Sequence, residues 1–282
     1  LLGFLGTISR FLDKPLGVLI ISRSGAGKTT LQESFCSFVP EEDLNQYTRI
    51  SEKVLFYKGE EGLKNKVLAL EEEDGMDDAS YAIRTLQSSQ KLTSSITKSD
   101  PKTGRMMAEE YSVHGPVFIV ISSTNPDALD YETRNRFIIL TIDESKKQTR
   151  KIIEKVKEKY TLEGMRSDAR KDQTLKKYRN MQRMLKPLKV VNPYVSQLEY
   201  SFDRLQMRRE FDKYMTLINT VALFHQYQRE VKHDKVGGDY IEVTPEDIAV
   251  ANDLVLEFFP NSTDEMAPHT RSFLSELTQM VK

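Results

Sequence analysis

Four short apolar runs, Val18–Ile21, Val67–Leu70, Val117–Ile121 and Phe137–Ile142, have strand character. Helical or polar stretches separate them, an alternation that predicts a mostly parallel sheet covered by helices. Leu1–Arg10 reads as a helix, and Ala79, Ala82, Ile83 and Leu86 recur at helical spacing. Lys91–Tyr111 reads as two strand-like pieces around Asp100-Pro101-Lys102-Thr103-Gly104, a turn signal inside a β-hairpin.

Beyond Ile142 the pattern changes. Residues 145–189 hold sixteen Lys/Arg against five Asp/Glu, and Ile152, Ile153, Val156 and Tyr160 give part of this stretch a helical stripe. Two readings stay open: a solvated helix face on a connector, or a surface for phosphate backbones that includes Lys176, Lys177, Arg179 and Arg183. From Arg208 onward Phe211, Tyr214, Met215, Ile218, Val221, Ala222 and His225 mark a long amphipathic helix that must pack against something. Thr244-Pro245-Glu246-Asp247 is a helix start, with Thr244 as cap, and Ile248, Ala251, Val255 and Phe258 follow on one face. The expected organisation is an α/β core over 1–144 with a hairpin inserted near 91–113. A basic helical connector over 145–207 follows, then a helical subdomain over 208–282 with a flexible break near Lys235–Asp239.

The sharpest chemistry follows the first strand. Ser22-Arg23-Ser24-Gly25-Ala26-Gly27-Lys28-Thr29-Thr30 stands between Val18–Ile21 and a helical run from Leu31, in the order strand, glycine-rich turn, helix. Gly25 and Gly27 let the backbone curl so that N–H groups, that of Ala26 among them, meet phosphate oxygens, and Lys28 reaches the β- and γ-phosphates. The Thr29 hydroxyl ligates Mg²⁺ and Thr30 continues the helix N-terminus, whose dipole favours anions. Ser22 departs from the usual pattern, which has glycine there. The expected ligand is ATP with Mg²⁺.

The second strand ends in Glu71 and Glu72, where hydrolytic nucleotide triphosphatases place metal and water residues. Side chains alternate along a strand, so Glu71 is assigned to the Mg²⁺ shell and Glu72 to polarising the attacking water. Glu73 and Asp74 leave that register open by one residue. The third strand runs into Ser122-Ser123-Thr124-Asn125, where Asn125 would orient water or touch the γ-phosphate. Asn135-Arg136-Phe137 opens the fourth strand, and Arg136 is positioned to enter a neighbouring subunit's ATP.

This order of motifs resembles the AAA+ ATPases, closest to the helicase clade with a β-hairpin before the third motif, which includes the MCM helicases. Glu71-Glu72-Glu73-Asp74-Gly75-Met76 looks like the family's acidic stretch, while Asn125-Pro126 and Arg136-Phe137 fall on its sensor and arginine-finger positions. Ala79-Ser80-Tyr81-Ala82, Lys186-Pro187-Leu188, Val191-Asn192-Pro193-Tyr194, Arg208-Arg209 and His225-Gln226-Tyr227-Gln228-Arg229 are similar to the ATPase part of primase-type proteins of bacteria and mobile elements. The resemblance implies an AAA+ P-loop parallel sheet with helices on both faces and a helical lid, from which Arg209 would reach the γ-phosphate as second sensor. It implies a replication helicase module acting on single-stranded or forked DNA as a homo-oligomer, a hexameric ring in the family's manner. Lys98, Lys102 and Arg105 of the hairpin would grip DNA in the pore. The rival reading is a nucleotide-controlled DNA-binding scaffold that unwinds nothing.

Composition narrows the setting. Net charge is −1, so nucleic-acid contact must come from local patches. Cys36 is the single cysteine, expected as a small core residue in a reducing compartment, and no apolar run is long enough to span a membrane. A cytoplasmic protein is expected, with the chain an excised piece of a longer one and no cleavable signal. His114, His225, His233 and His269 lack metal-ligand spacing.

Overall fold

The computed structural model describes residues 1–72, 77–99, 106–125, 129–199 and 207–262. In chain order the elements begin with α1 (Leu2–Ser9), β1 (Gly17–Ile21), α2 (Lys28–Cys36), β2 (Leu44–Tyr47), α3 (Glu52–Phe56), β3 (Lys66–Glu72) and α4 (Asp77–Ser89). The hairpin strands β4 (Lys91–Ser99) and β5 (Met106–His114) follow, then β6 (Val117–Ser123), α5 (Tyr131–Arg134) and β7 (Ile138–Thr141). The remainder comprises α6 (Lys146–Lys159), α7 (Leu162–Met184), β8 (Lys189–Val191), α8 (Met207–Phe224), β9 (Lys232–Asp234), β10 (Gly238–Glu242) and α9 (Pro245–Ser262).

Five strands form one parallel sheet in the order β2-β3-β6-β1-β7. Its period-two alternation divides the core between two faces. Val18, Ile20, Val67, Ala69, Phe118 and Val120 face α1, α2, α8 and α9, burying Leu2, Leu5, Leu217, Ile218 and Val221. Leu19, Leu68, Leu70, Ile119 and Ile121 face the other way, against Ala79, Ala82, Ile83 and Leu86 of α4. The apolar runs thus become strands because a parallel sheet is dry on both sides. β2 has no such run: Leu44-Asn45-Gln46-Tyr47 is an edge strand with one neighbour and no buried residue.

Among the described residues the C-terminal third shares the main core, since α8 and α9 complete the cluster beneath β1 and β6. The stretch 235–239 is not a loose break. Residues 235–237 are the turn between β9 and β10 and 238–239 already belong to β10; with β8 these strands form a small sheet, and the Asp234 carboxylate accepts from the Val236 and Gly237 N–H groups. The start of α9 follows the expected capping logic, with Asp247 Oδ2 accepting from Thr244 N at 2.9 Å.

The basic stretch is two helices with different surroundings. α6 has no buried residue. The last turns of α7 are docked: Arg179 pairs with Glu41 at 2.8 Å and Arg183 with Glu42 at 2.6 Å. Arg179 and Arg183 therefore carry ion pairs to Glu41 and Glu42, although Arg183 stays exposed like Lys176 and Lys177. Arg10, fully buried, reaches Thr7 O at 2.7 Å, Asn65 O at 2.9 Å and Gln182 Oε1 at 2.5 Å, tying α1 to both β3's approach and α7. Desolvation pulls its pKa down to about 10, partly offset by Asp43. Cys36 is a core residue, its thiol pushed up to about 12 by burial. Among the described residues no helix is long and apolar enough to cross a membrane.

Candidate functional site

A parallel sheet aims all its strands' carboxyl ends one way, and loops there converge. β1 leads into the glycine-rich turn and α2. Gly25 and Gly27 adopt φ of 76° and 100°, and a side chain at either would meet open space, so the backbone conformation requires glycine. Gly27 caps α2, whose first-turn N–H groups have no carbonyl within the helix. Ala26 N–H closes the turn onto the Arg23 carbonyl at 3.2 Å, and Lys28 Nζ donates to the same carbonyl at 3.0 Å.

This loop borders a cavity of about 570 Å³ shared with Thr29, Thr30, Thr48, Glu71, Ser122 and Thr124. Glu71 enters it because odd residues of β3 share the α2 face, and Gln46 of β2 donates to its Oε1 at 3.2 Å. Curled backbone, open helix N-terminus, lysine, hydroxyl and carboxylate around one cavity fit a nucleoside triphosphate with a divalent cation. Glu72 pairs in register with Ser123; nothing of its side chain, or of residues 73 and 74, belongs to the described part.

A family model described as the MTBMA_p00010 P-loop domain matches residues 4–187. The chain belongs to that P-loop domain family. No curated protein matches it. Membership in a P-loop family implies nucleotide binding and suggests a nucleotide hydrolase in general.

The third strand of this P-loop domain brings two further residues to the cavity. Ser122 and Thr124 line the cavity, whereas Asn125 lies exposed beyond the strand, its N–H donating to Ser123 Oγ at 3.1 Å. Even-numbered β6 residues share the α2 face, so period two alone would have selected Ser122 and Thr124. Glu144 was also missed. It sits after β7 and accepts from Ser22 Oγ at 2.6 Å and from Arg23 N at 3.1 Å. These bonds, the hydroxyl one first, hold its carboxyl below the ordinary value. No local pattern announces a contact across 122 positions.

Arg136 and Arg209 lie elsewhere. Both line a cavity of about 220 Å³ with Lys14, Gly17 and Ser88, at the amino ends of β1 and β7. The five residues of β1 alone separate them from the phosphate loop by roughly 16 Å at about 3.3 Å per residue. Arg209 is thus placed away from its own chain's phosphate loop, because α8 enters at the far end of the sheet. Arg136 is held within the chain: it donates to Glu132 Oε1 at 2.6 Å and to Ser88 Oγ. Glu132 also receives Arg84 at 3.3 Å. Lys213, one turn past Arg209, donates to the Phe137 carbonyl at 3.1 Å and pairs with Glu210 at 2.6 Å, so α8 is keyed to the Arg136 segment.

The hairpin leaves the same amino-end side. Its nine pairs run from Lys91↔His114 to Ser99↔Met106, with Leu92 and Val113 buried at the base. Lys98 stands near the far end on β4; nothing of its side chain belongs to the described part, and Lys102 and Arg105 lie outside the described residues.

Proposed function

We propose that the chain is an ATP-hydrolysing DNA motor of the helicase type, working as a ring whose active sites form between copies. The observation that carries the reading is the separation of the phosphate loop from the Arg136–Arg209 pair, at opposite ends of one sheet. An arginine pair beyond reach of its own loop suits presentation to a second copy.

In this reading Lys28 and the α2 N-terminus bind the phosphates, and Thr29 and Glu71 hold Mg²⁺, which when bound neutralises phosphate charge. Glu72 takes the proton of the attacking water, while Thr124 and Ser122 border the γ-phosphate position and Asn125 stands behind them. Arg136 stabilises developing charge in trans once it exchanges Glu132 for phosphate, with Arg209 beside it. The hairpin, roughly 30 Å long at about 3.4 Å per residue, carries Lys98, Lys102 and Arg105 to DNA.

Mixing Arg136→Ala with Glu72→Gln subunits tests the shared site. Each variant alone should be inactive, since an arginine finger is worth roughly three to five orders of magnitude. The mixture should recover turnover, because some interfaces regain both intact halves. No recovery in mixed assemblies that demonstrably form refutes action in trans. Neutralising Lys98, Lys102 and Arg105 should abolish DNA-stimulated turnover and flatten the salt dependence of DNA binding by roughly 0.7–0.9 in slope per lost contact, sparing basal ATPase. DNA-independent turnover in the unaltered chain, without strand displacement, would favour the scaffold.

A further inference from the structure

Where a phosphate loop usually begins with glycine, this chain has Ser22, and that side chain needs a place. It is almost buried, and its hydroxyl donates to Glu144 Oε1 at 2.6 Å. The same oxygen accepts the Arg23 N–H at 3.1 Å, while Arg23 Nε stands 3.6 Å from Oε2. The carbonyl of Arg23 is the group that receives Ala26 N and Lys28 Nζ. One carboxylate therefore grips the residue to which the loop's turn and its lysine are both anchored.

We propose that Glu144 is a positioning residue of the phosphate loop, holding the Ser22–Arg23 peptide through two hydrogen bonds so that the loop is preformed for a triphosphate. The inference rests on the nucleotide-binding reading and adds a residue to it. Attraction is not the reason for a carboxylate here, since its negative charge opposes a polyphosphate. Its value is as an acceptor with two donors already aimed at it, and the bonds keep it ionised. Glu144 also precedes Ser145, which caps α6 by accepting from Gln148 N at 3.2 Å, so the grip sits at the root of the basic arm.

Equilibrium titration of the full chain with a fluorescent ATP analogue and Mg²⁺ tests this, with Lys28→Ala as the non-binding reference. Glu144→Gln keeps an acceptor oxygen and loses the charge, so it should bind as tightly as the unaltered chain or a few-fold tighter. Glu144→Ala loses both hydrogen bonds and should bind about tenfold more weakly, a modest share of two charge-assisted bonds. In a Ser22→Gly background the alanine substitution should matter less, because no hydroxyl is left stranded. Glu144 is partly exposed, so thermal melts of the ligand-free variants should coincide. Binding by Glu144→Ala within twofold of the unaltered chain overturns the proposal, as does glutamine behaving like alanine. Failure of the unaltered chain to bind the analogue would instead overturn the nucleotide reading itself.

Discussion

Replacing Lys213 by methionine should cost more than any surface substitution in this chain, and removing its partner as well should recover most of the loss. Lys213 and Glu210 are only 9% and 5% exposed, and their charged atoms meet at 2.6 Å. Lys213 also supplies a hydrogen bond to the Phe137 carbonyl. Burial already holds the lysine below its ordinary pKa, with Glu210 opposing that trend. Methionine keeps the aliphatic stem but takes the buried cation away from the Glu210 carboxylate in a low-dielectric site, and breaking a buried pair by removing one partner costs about 3–5 kcal/mol. For a chain of 282 residues the unfolding entropy is about 0.6 kcal/mol per degree, so the melting temperature should fall by roughly 5–8 °C. Lys213→Met with Glu210→Leu removes both members of the buried pair and should return to within about 1 kcal/mol of the original. Urea and thermal melts of the three variants read this directly. Turnover supplies the second arm: the double variant should stay slow, because α8 has lost its bond beside Arg136. A single variant losing under about 1 kcal/mol, or a double variant as unstable as the single, refutes the reasoning.

Gln32 on α2 is fully buried, and neither side-chain amide atom finds a partner among the described residues. Gln32→Leu should therefore raise stability in urea melts by about 1–3 kcal/mol, the cost of an unpaired buried polar group; a loss would show that the amide has a polar partner such as an ordered water. Glu42 has its pKa lowered from 4.5 to about 2, by the Arg183 hydrogen bond first. Because the folded value lies below the unfolded one, its contribution is whole above the ordinary carboxylate range and disappears as pH falls through about 2. Acid titration of Glu42→Gln should show a shallower loss of stability between those limits, and an unchanged slope would deny the Arg183 bond that role.

Much of the sheet was legible because both its faces are dry. Apolar runs at 18–21, 67–70, 117–121 and 137–142 mark β1, β3, β6 and β7, and Gly25, Gly27 and Lys28 mark the turn between β1 and α2. β2 was not legible, since an edge strand of Asn45 and Gln46 needs little apolar surface. The small β8-β10-β9 sheet escaped for a similar reason: β8 and β9 are three residues each, and β10 buries Ile241 alone. Within the site, Lys28 and Glu71 followed from local pattern, whereas Glu144 came into place only when β7 lay down beside β1. Arg209 shows the same limit. Its spacing on α8 was visible, but which end of the sheet α8 meets is decided by packing of Tyr214, Leu217 and Ile218 against the core.

The opposed ends of the β1–β7 strand pair give the molecule a head and a tail. In the assembly proposed above, joining them is a heterologous contact, one patch fitting a different patch, and such contacts either close into rings or grow as helices. An open row of n copies then has n − 1 complete sites, with one loop at its leading edge awaiting arginines and one arginine pair at its trailing edge awaiting a loop. Closure adds the last site and removes both unfinished edges together. Turnover per subunit would thus report the topology of the assembly: it climbs with length in an open row and steps to its full value when the circle shuts.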